Sequence, residues 1–212
     1  MAAMLAATPA FAADVVQAGD PGAIAGSPTP NSLAAAAAFD ASTGAPVIVT
    51  FESAQPHFTY TNGTPTSAPL GSGSAVWARN TTPGGRYLLE LVGSPTTLTF
   101  ASPISSFGVF LTGVQLNTLS FSFDDGTAQN VAVTNYGSGT QFFGLSNLAN
   151  PISSITLLNP NDVIGLDDIR FTTATTGAVP EPSTWALMLL GFGAVGWAMR
   201  SRTGRKLADT RA

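Results

Sequence analysis

The sequence predicts an all-β protein: an antiparallel two-sheet sandwich, preceded by a short helix and followed by a hydrophobic helix. Three observations carry this. From Val47 onward, short β-branched and aromatic runs recur at even spacing. Pro, Gly, Asn or Asp punctuates nearly every gap between them. No helical periodicity interrupts the series, which argues against a parallel α/β sheet.

The elements follow in order. Met1 to Ala13 is small and apolar, and Ala10-Phe11-Ala12 reads as an A-x-A cleavage site. We read 1–12 as a signal peptide. It lacks a positive n-region, so the expected start lies inside a longer leader. Residues 13–45 read as a linker, because Asp14 to Pro30 is rich in Gly, Pro and Ala. Within it a short helix is expected over 32–40, capped by Asn31-Ser32 and docked by Leu33 and Phe39.

The sandwich is expected over 46–174. Its strands are Val47 to Phe51, Ala75 to Arg79, Tyr87 to Val92, Thr96 to Ala101 and Ser106 to Leu111. Then come Thr118 to Phe123, Gln129 to Thr134, Gln141 to Leu145, Ile152 to Leu158 and Ile169 to Thr172. Leu119, Phe121 and Phe123 alternate with Ser120 and Ser122, the period of a half-buried strand. Asp124-Asp125-Gly126 between two runs predicts a hairpin with a type I′ turn.

Residues 175–182 form a linker and a Pro-Glu-Pro box, 183–199 a hydrophobic helix, and 200–212 a basic tail on the cytoplasmic side. Trp185 to Met199 is fifteen residues without a charge. As a helix it would be about 22 Å long, short against a hydrocarbon core of ~30 Å. Arg200 and Arg202 begin a positive stop. Pro180 and Pro182 hold Glu181 in extended chain that a processing enzyme can grip.

This tripartite run resembles the PEP-CTERM sorting signal, in its proteobacterial PEPxxWA variety. The matching residues are Pro180-Glu181-Pro182, Trp185-Ala186 and the core from Met188 to Gly196. The resemblance implies an exosortase partner, transient residence in the inner membrane, and then the outer envelope, cell surface or extracellular matrix. Gly191, Gly193 and Gly196 also spell a dinucleotide fingerprint, G-x-G-x-x-G. Only sixteen residues follow, with no room for a βαβ unit, so nucleotide binding is excluded and the glycines read as membrane packing.

Charge narrows the function classes. Ten acidic residues face three basic ones between Asp14 and Val179, a net charge of −7. That balance argues against nucleic acid. Cysteine is absent, so there is no thiol chemistry or disulfide framework. His57 is the sole histidine and no G-x-S-x-G elbow occurs, which leaves no triad and no multi-histidine zinc site. No catalytic residue is assigned and the protein is not read as an enzyme.

The body also resembles jelly-roll, carbohydrate-binding-module-like domains, through Val49 to Glu52 at its opening and Gly165 to Phe171 at its close. That resemblance implies a structural calcium in many such domains. If the first and last strands lie side by side, Glu52, Asp167 and Asp168 would supply hard oxygen ligands. The same aspartates also fit a turn with Asp168 accepting backbone amides. Tyr60, Trp77 and Tyr136 are the candidate sugar platforms; Trp77 equally fits a core position. The sequence therefore predicts an exported surface or matrix protein that binds or organises polysaccharide. The alternatives are a purely structural biofilm matrix protein and, behind it, a secreted hydrolase.

Overall fold

The computed structural model describes residues 13–23, 29–67, 87–93, 95–133, 139–158, 162–174 and 188–195. The chain divides into two units, 1–174 and 175–212. Among its described residues the first is antiparallel β with one helix. Its elements are β1 (Asp14–Pro21), α1 (Pro30–Thr43), β2 (Val47–Val49), β3 (Phe58–Tyr60), β4 (Gly63–Ser67) and β5 (Tyr87–Val92). There follow β6 (Thr96–Thr112), β7 (Thr118–Phe123), β8 (Ala128–Ala132), β9 (Gly139–Ser146), β10 (Ile152–Leu158) and β11 (Val163–Thr173).

Hydrogen bonds join all eleven strands into one network, and β6 divides it into two layers. Its first residues pair with β3 on one side (Thr59 opposite Thr99) and β10 on the other (Thr156 opposite Thr97). Its later residues pair instead with β9 (Gly108 opposite Gly144) and β11 (Phe107 opposite Phe171). A register shift between Ile152 and Ser154 of β10 marks the changeover. Strands that switch layers through a bulge are how two sheets share a corner. One layer is thus β3-β6-β10-β7-β8, and the other runs from β4 and β5 through β11 and β6 to β9 and β1, with β2 on β11. Aromatic contacts across the two layers close the core. Phe121 of β7 stacks on Phe143 of β9 at 5.2 Å, and Phe100 of β6 meets Phe171 of β11 edge-on at 5.0 Å.

The two expected strands Thr96 to Ala101 and Ser106 to Leu111 are one. Pro103 reads as a break in the sequence, but it sits where the register shifts, and a proline there removes no needed ladder donor. The segment expected as linker from Asp14 is strand β1. Eight residues pair with β9, from Asp14 opposite Ser146 to Pro21 opposite Gly139, so ladder bonds override a weak local composition. Strands β3 and β4 were not foreseen; β4 carries Pro65 and pairs only with β5 among the described residues, an edge position that tolerates proline. Expected strand Ala75 to Arg79 lies outside the described residues.

The helix begins at Pro30, with proline in the first turn where its missing N–H costs nothing. Its cap is not local. The Asp20 carboxylate, from β1, accepts hydrogen bonds from the Asn31 and Ser32 N–H groups (3.1 and 2.8 Å), from Asn31 Nδ2 and from Ser32 Oγ. Phe39 docks as expected and is fully buried, but Leu33 is exposed because Ala35 and Ala36, not Leu33, share its face toward the sheet. The β7–β8 turn also differs. Asp124 and Asp125 keep negative φ and only Gly126 is left-handed, at 83°. Gly126 N–H donates to Phe123 O, so this is an ordinary turn closed by a glycine bulge rather than type I′.

Candidate functional site

A groove of about 570 Å³ opens along β3, lined by Phe51, Ser53, Ala54, Gln55, Phe58, Thr59, Tyr60 and Pro65. The fold positions it in three steps. Strand β2 ends at Val49, and Phe51 then adopts φ 58°, left-handed for a bulky residue. Such a conformation costs about 1–3 kcal/mol and is held by its surroundings. Here Phe51 is buried and packs edge-on against Phe58 at 6.1 Å. The chain then passes through Ser53 and Gln55, whose Nε2 donates to Ser53 O, before entering β3. Among the described residues β3 pairs only with β6, so its other edge faces the groove. Phe58 is core, Thr59 is exposed, and Tyr60 is half-buried, its ring 6.2 Å from Phe58.

Among the described residues the lining is aromatic and neutral-polar, with no ionised side chain. Such a wall offers an apolar ring face beside amide and hydroxyl groups. Tyr60, a candidate sugar platform in the sequence, lies in this lining. Trp77 and Tyr136 lie outside the described residues. Phe51, Phe58 and Gln55 were missed. The signal available was the Phe51-to-Phe58 stretch itself, two aromatics bracketing a short polar loop between strands.

The expected acidic cluster does not gather. Strand β2 does pair with β11, Val49 opposite Ile169. Yet Glu52 is exposed beyond the end of β2, whereas Asp167 and Asp168 are buried in β11. Among the described residues no three Asp, Glu or His side chains converge as a metal site would require. Asp168 has a different occupation. It sits at a bulge in the β11–β6 ladder with φ 45°, and its N–H donates to Asp167 Oδ1. Arg170 lies 3.7 Å from its carboxylate and donates to its backbone oxygen at 2.8 Å. Burial pushes the Asp168 carboxyl above its ordinary range; Arg170 opposes that and Asp40 adds to it. The Arg170 guanidinium also lies over Phe110 and Phe142 and reaches Asp40 of α1 at 3.2 Å. This cluster ties α1 to the sheet. His57 is exposed, its ring 6.2 Å from Phe171.

Residues 188–195 are helical, with every side chain exposed, and include Gly191 and Gly193 of the sorting run. No described helix is long and apolar enough to cross a membrane. Pro180, Glu181, Pro182, Trp185, Ala186, Gly196, Arg200 and Arg202 lie outside the described residues.

A comparison with curated protein sequences finds no match. Among solved structures, the chain is similar to the CBM22-1 and GH10 modules of a Clostridium thermocellum endo-1,4-β-D-xylanase complexed with xylohexaose. The identity is 12% and the TM-score 0.36, over 61% of this chain and 28% of that one. A second neighbour is TmCBM61, in complex with β-1,4-galactotriose, at 10% identity and a TM-score of 0.27, over 64% of this chain and 94% of that one. The chain therefore spans under a third of the xylanase chain. The family model that matches is the PEP-CTERM protein-sorting motif, over residues 178–203. The run from Pro180 to Arg202 is thus a PEP-CTERM sorting motif, the mark of an exported protein sorted by an exosortase at the membrane.

Proposed function

We propose that this is a non-catalytic surface protein whose β-domain binds polysaccharide in the groove along β3, once the sorting motif has delivered it to the outer envelope or extracellular matrix. The observation that carries the binding half is the groove wall: Tyr60 half-exposed beside Phe51 and Phe58, flanked by Ser53, Gln55 and Thr59. A sugar ring presents apolar C–H faces and equatorial hydroxyls, and a tyrosine edge with amides and hydroxyls answers both. The test is a glycan array probed with wild type and Tyr60→Ala. Binding that drops about tenfold in the variant supports the reading; no retained glycan, or binding indifferent to Tyr60, overturns it. The sorting half is checked by mass spectrometry of protein recovered from the cell surface. Loss of the Arg200–Ala212 tail is expected, and an intact tail on mature surface protein defeats removal by an exosortase.

A further inference from the structure

The layer that bears the groove has an outer face of unusual chemistry. Its strand segments are Phe58–Tyr60, 96–101, Ile152–Leu158, Thr118–Phe123 and Ala128–Ala132, and none holds a single Asp, Glu, Lys or Arg. Soluble surfaces carry roughly a quarter to a third charged residues, and exposed sheet faces and edges usually bear lysines against self-association. Here the central outward positions are hydroxyls in register, bordered by exposed Ala101, Ala128, Asn130, Ala132 and Leu158. Thr59 of β3 lies opposite Thr99 of β6, which lies opposite Ser154 of β10. In the next row Thr97 lies opposite Thr156, and Thr156 opposite Ser122 of β7. Thr97 and Thr156 share a hydrogen bond at 2.8 Å, and Ser120 donates to Asn130 Oδ1 at 2.7 Å, so the rows are organised. Thr59 also lines the groove, which makes groove and face one continuous surface.

Resting on the polysaccharide reading, we infer that the ligand is a neutral, extended polysaccharide that leaves the groove at Thr59 and lies across this hydroxyl face. The charge pattern selects it. Among the described residues the groove lining and the strands of the face hold no cation for a uronate, sulfate or phosphate, and the surrounding body has a net charge of −7, whose field repels polyanions. A neutral polyol loses little on desolvation against hydroxyls that both donate and accept. Extended chains gain from many shallow contacts along a flat face, as in-register rows provide.

The experiment uses the processed surface protein and immobilised polysaccharides: neutral xylan, galactan and glucan, against polygalacturonate and a sulfated glycan. Variants are Tyr60→Ala in the groove, and Thr99→Lys and Asn130→Lys on the face, each checked by thermal melting for an unchanged fold. The expected result is retention on a neutral polymer alone, weakened about tenfold by Thr99→Lys and less by the more distant Asn130→Lys. Tyr60-dependent binding to a polyanion overturns the neutral assignment and leaves the groove standing. Neutral binding that needs Tyr60 but ignores both lysine variants overturns the extended face. Concentration-dependent dimers abolished by Thr99→Lys assign the face to a second copy instead and overturn it too. Absence of retention on every polymer sinks the underlying polysaccharide reading.

Discussion

The two layers of the sandwich treat their outer faces in opposite ways. The layer of β11, β6 and β9 is covered by α1, and every residue of β9 is buried. The layer of β3, β10 and β7 is open, and β7 alternates between buried Leu119, Phe121, Phe123 and more accessible Thr118, Ser120, Ser122. The cover depends on glycine. Gly108 and Gly144 face each other across β6 and β9, and a Cβ on Gly144 would stand 2.6 Å from a Phe39 ring carbon. Two bare backbones side by side make the notch that admits Phe39. The lesson is that a strand's pattern reports its number of dry faces: Phe-Phe-Gly-Leu in β9 is apolar without alternation because both faces are packed.

Removing the cover is the largest expected effect. Phe39→Ala deletes a fully buried ring that contacts Phe142 at 5.6 Å and is expected to cost about 3–5 kcal/mol, read from denaturant midpoints. Gly144→Ala fills the notch from the other side and is expected to cost about 1–3 kcal/mol, since its Cβ would press on the fully buried Phe39 ring. If both variants unfold with wild-type midpoints, α1 is not part of the cooperative fold and the contrast between the layers collapses.

The helix cap sharpens the comparison with a pH signature. Burial pushes Asp20 up, but the hydrogen bonds from Ser32 and Asn31 outweigh it and hold the carboxyl below its ordinary 3.8. A lowered folded value means that the contribution is fully present above 3.8 and is lost as pH falls through the folded value. Asp20→Asn is therefore expected to cost about 0.5–2 kcal/mol at neutral pH. The gap between variant and wild type should narrow below pH 3.8. A gap that stays constant from pH 7 to strongly acid solution, followed by denaturation at each pH, would show that the ionised carboxylate is not what caps α1.

Strands of both layers were legible in the sequence, but β3 of the open layer and β1 and β4 of the covered one were not. Strands Tyr87–Val92, Thr118–Phe123 and Ile152–Leu158 have the bounds expected from their composition. They are short and flanked by turn residues, so local rules suffice. Strand β1 was hidden because Val15 and Val16 are its only β-branched residues, and its stability comes from β9, 118 to 132 positions away. Asp20 as a cap for residue 32 lies eleven and twelve positions from its donors, beyond any capping motif. The groove was legible only through Tyr60, because a left-handed Phe51 is a tertiary outcome that no propensity encodes. The sorting motif was the opposite case: its information is linear, read by a partner from chain order rather than from a fold.

The smallest expected effect belongs to the open face, and it completes the contrast. Thr99 is exposed in mid-strand, opposite exposed Thr59 and half-buried Ser154. Thr99→Val keeps the β-branched shape and removes only the hydroxyl, so the stability change should stay within about 0.5 kcal/mol. Stability near wild type with weaker retention on a neutral polymer separates a surface kept for contact from one kept for folding. A loss of more than about 1 kcal/mol in denaturant would mean that the hydroxyl rows brace the layer, and their lack of charge would then belong to the fold rather than to a ligand.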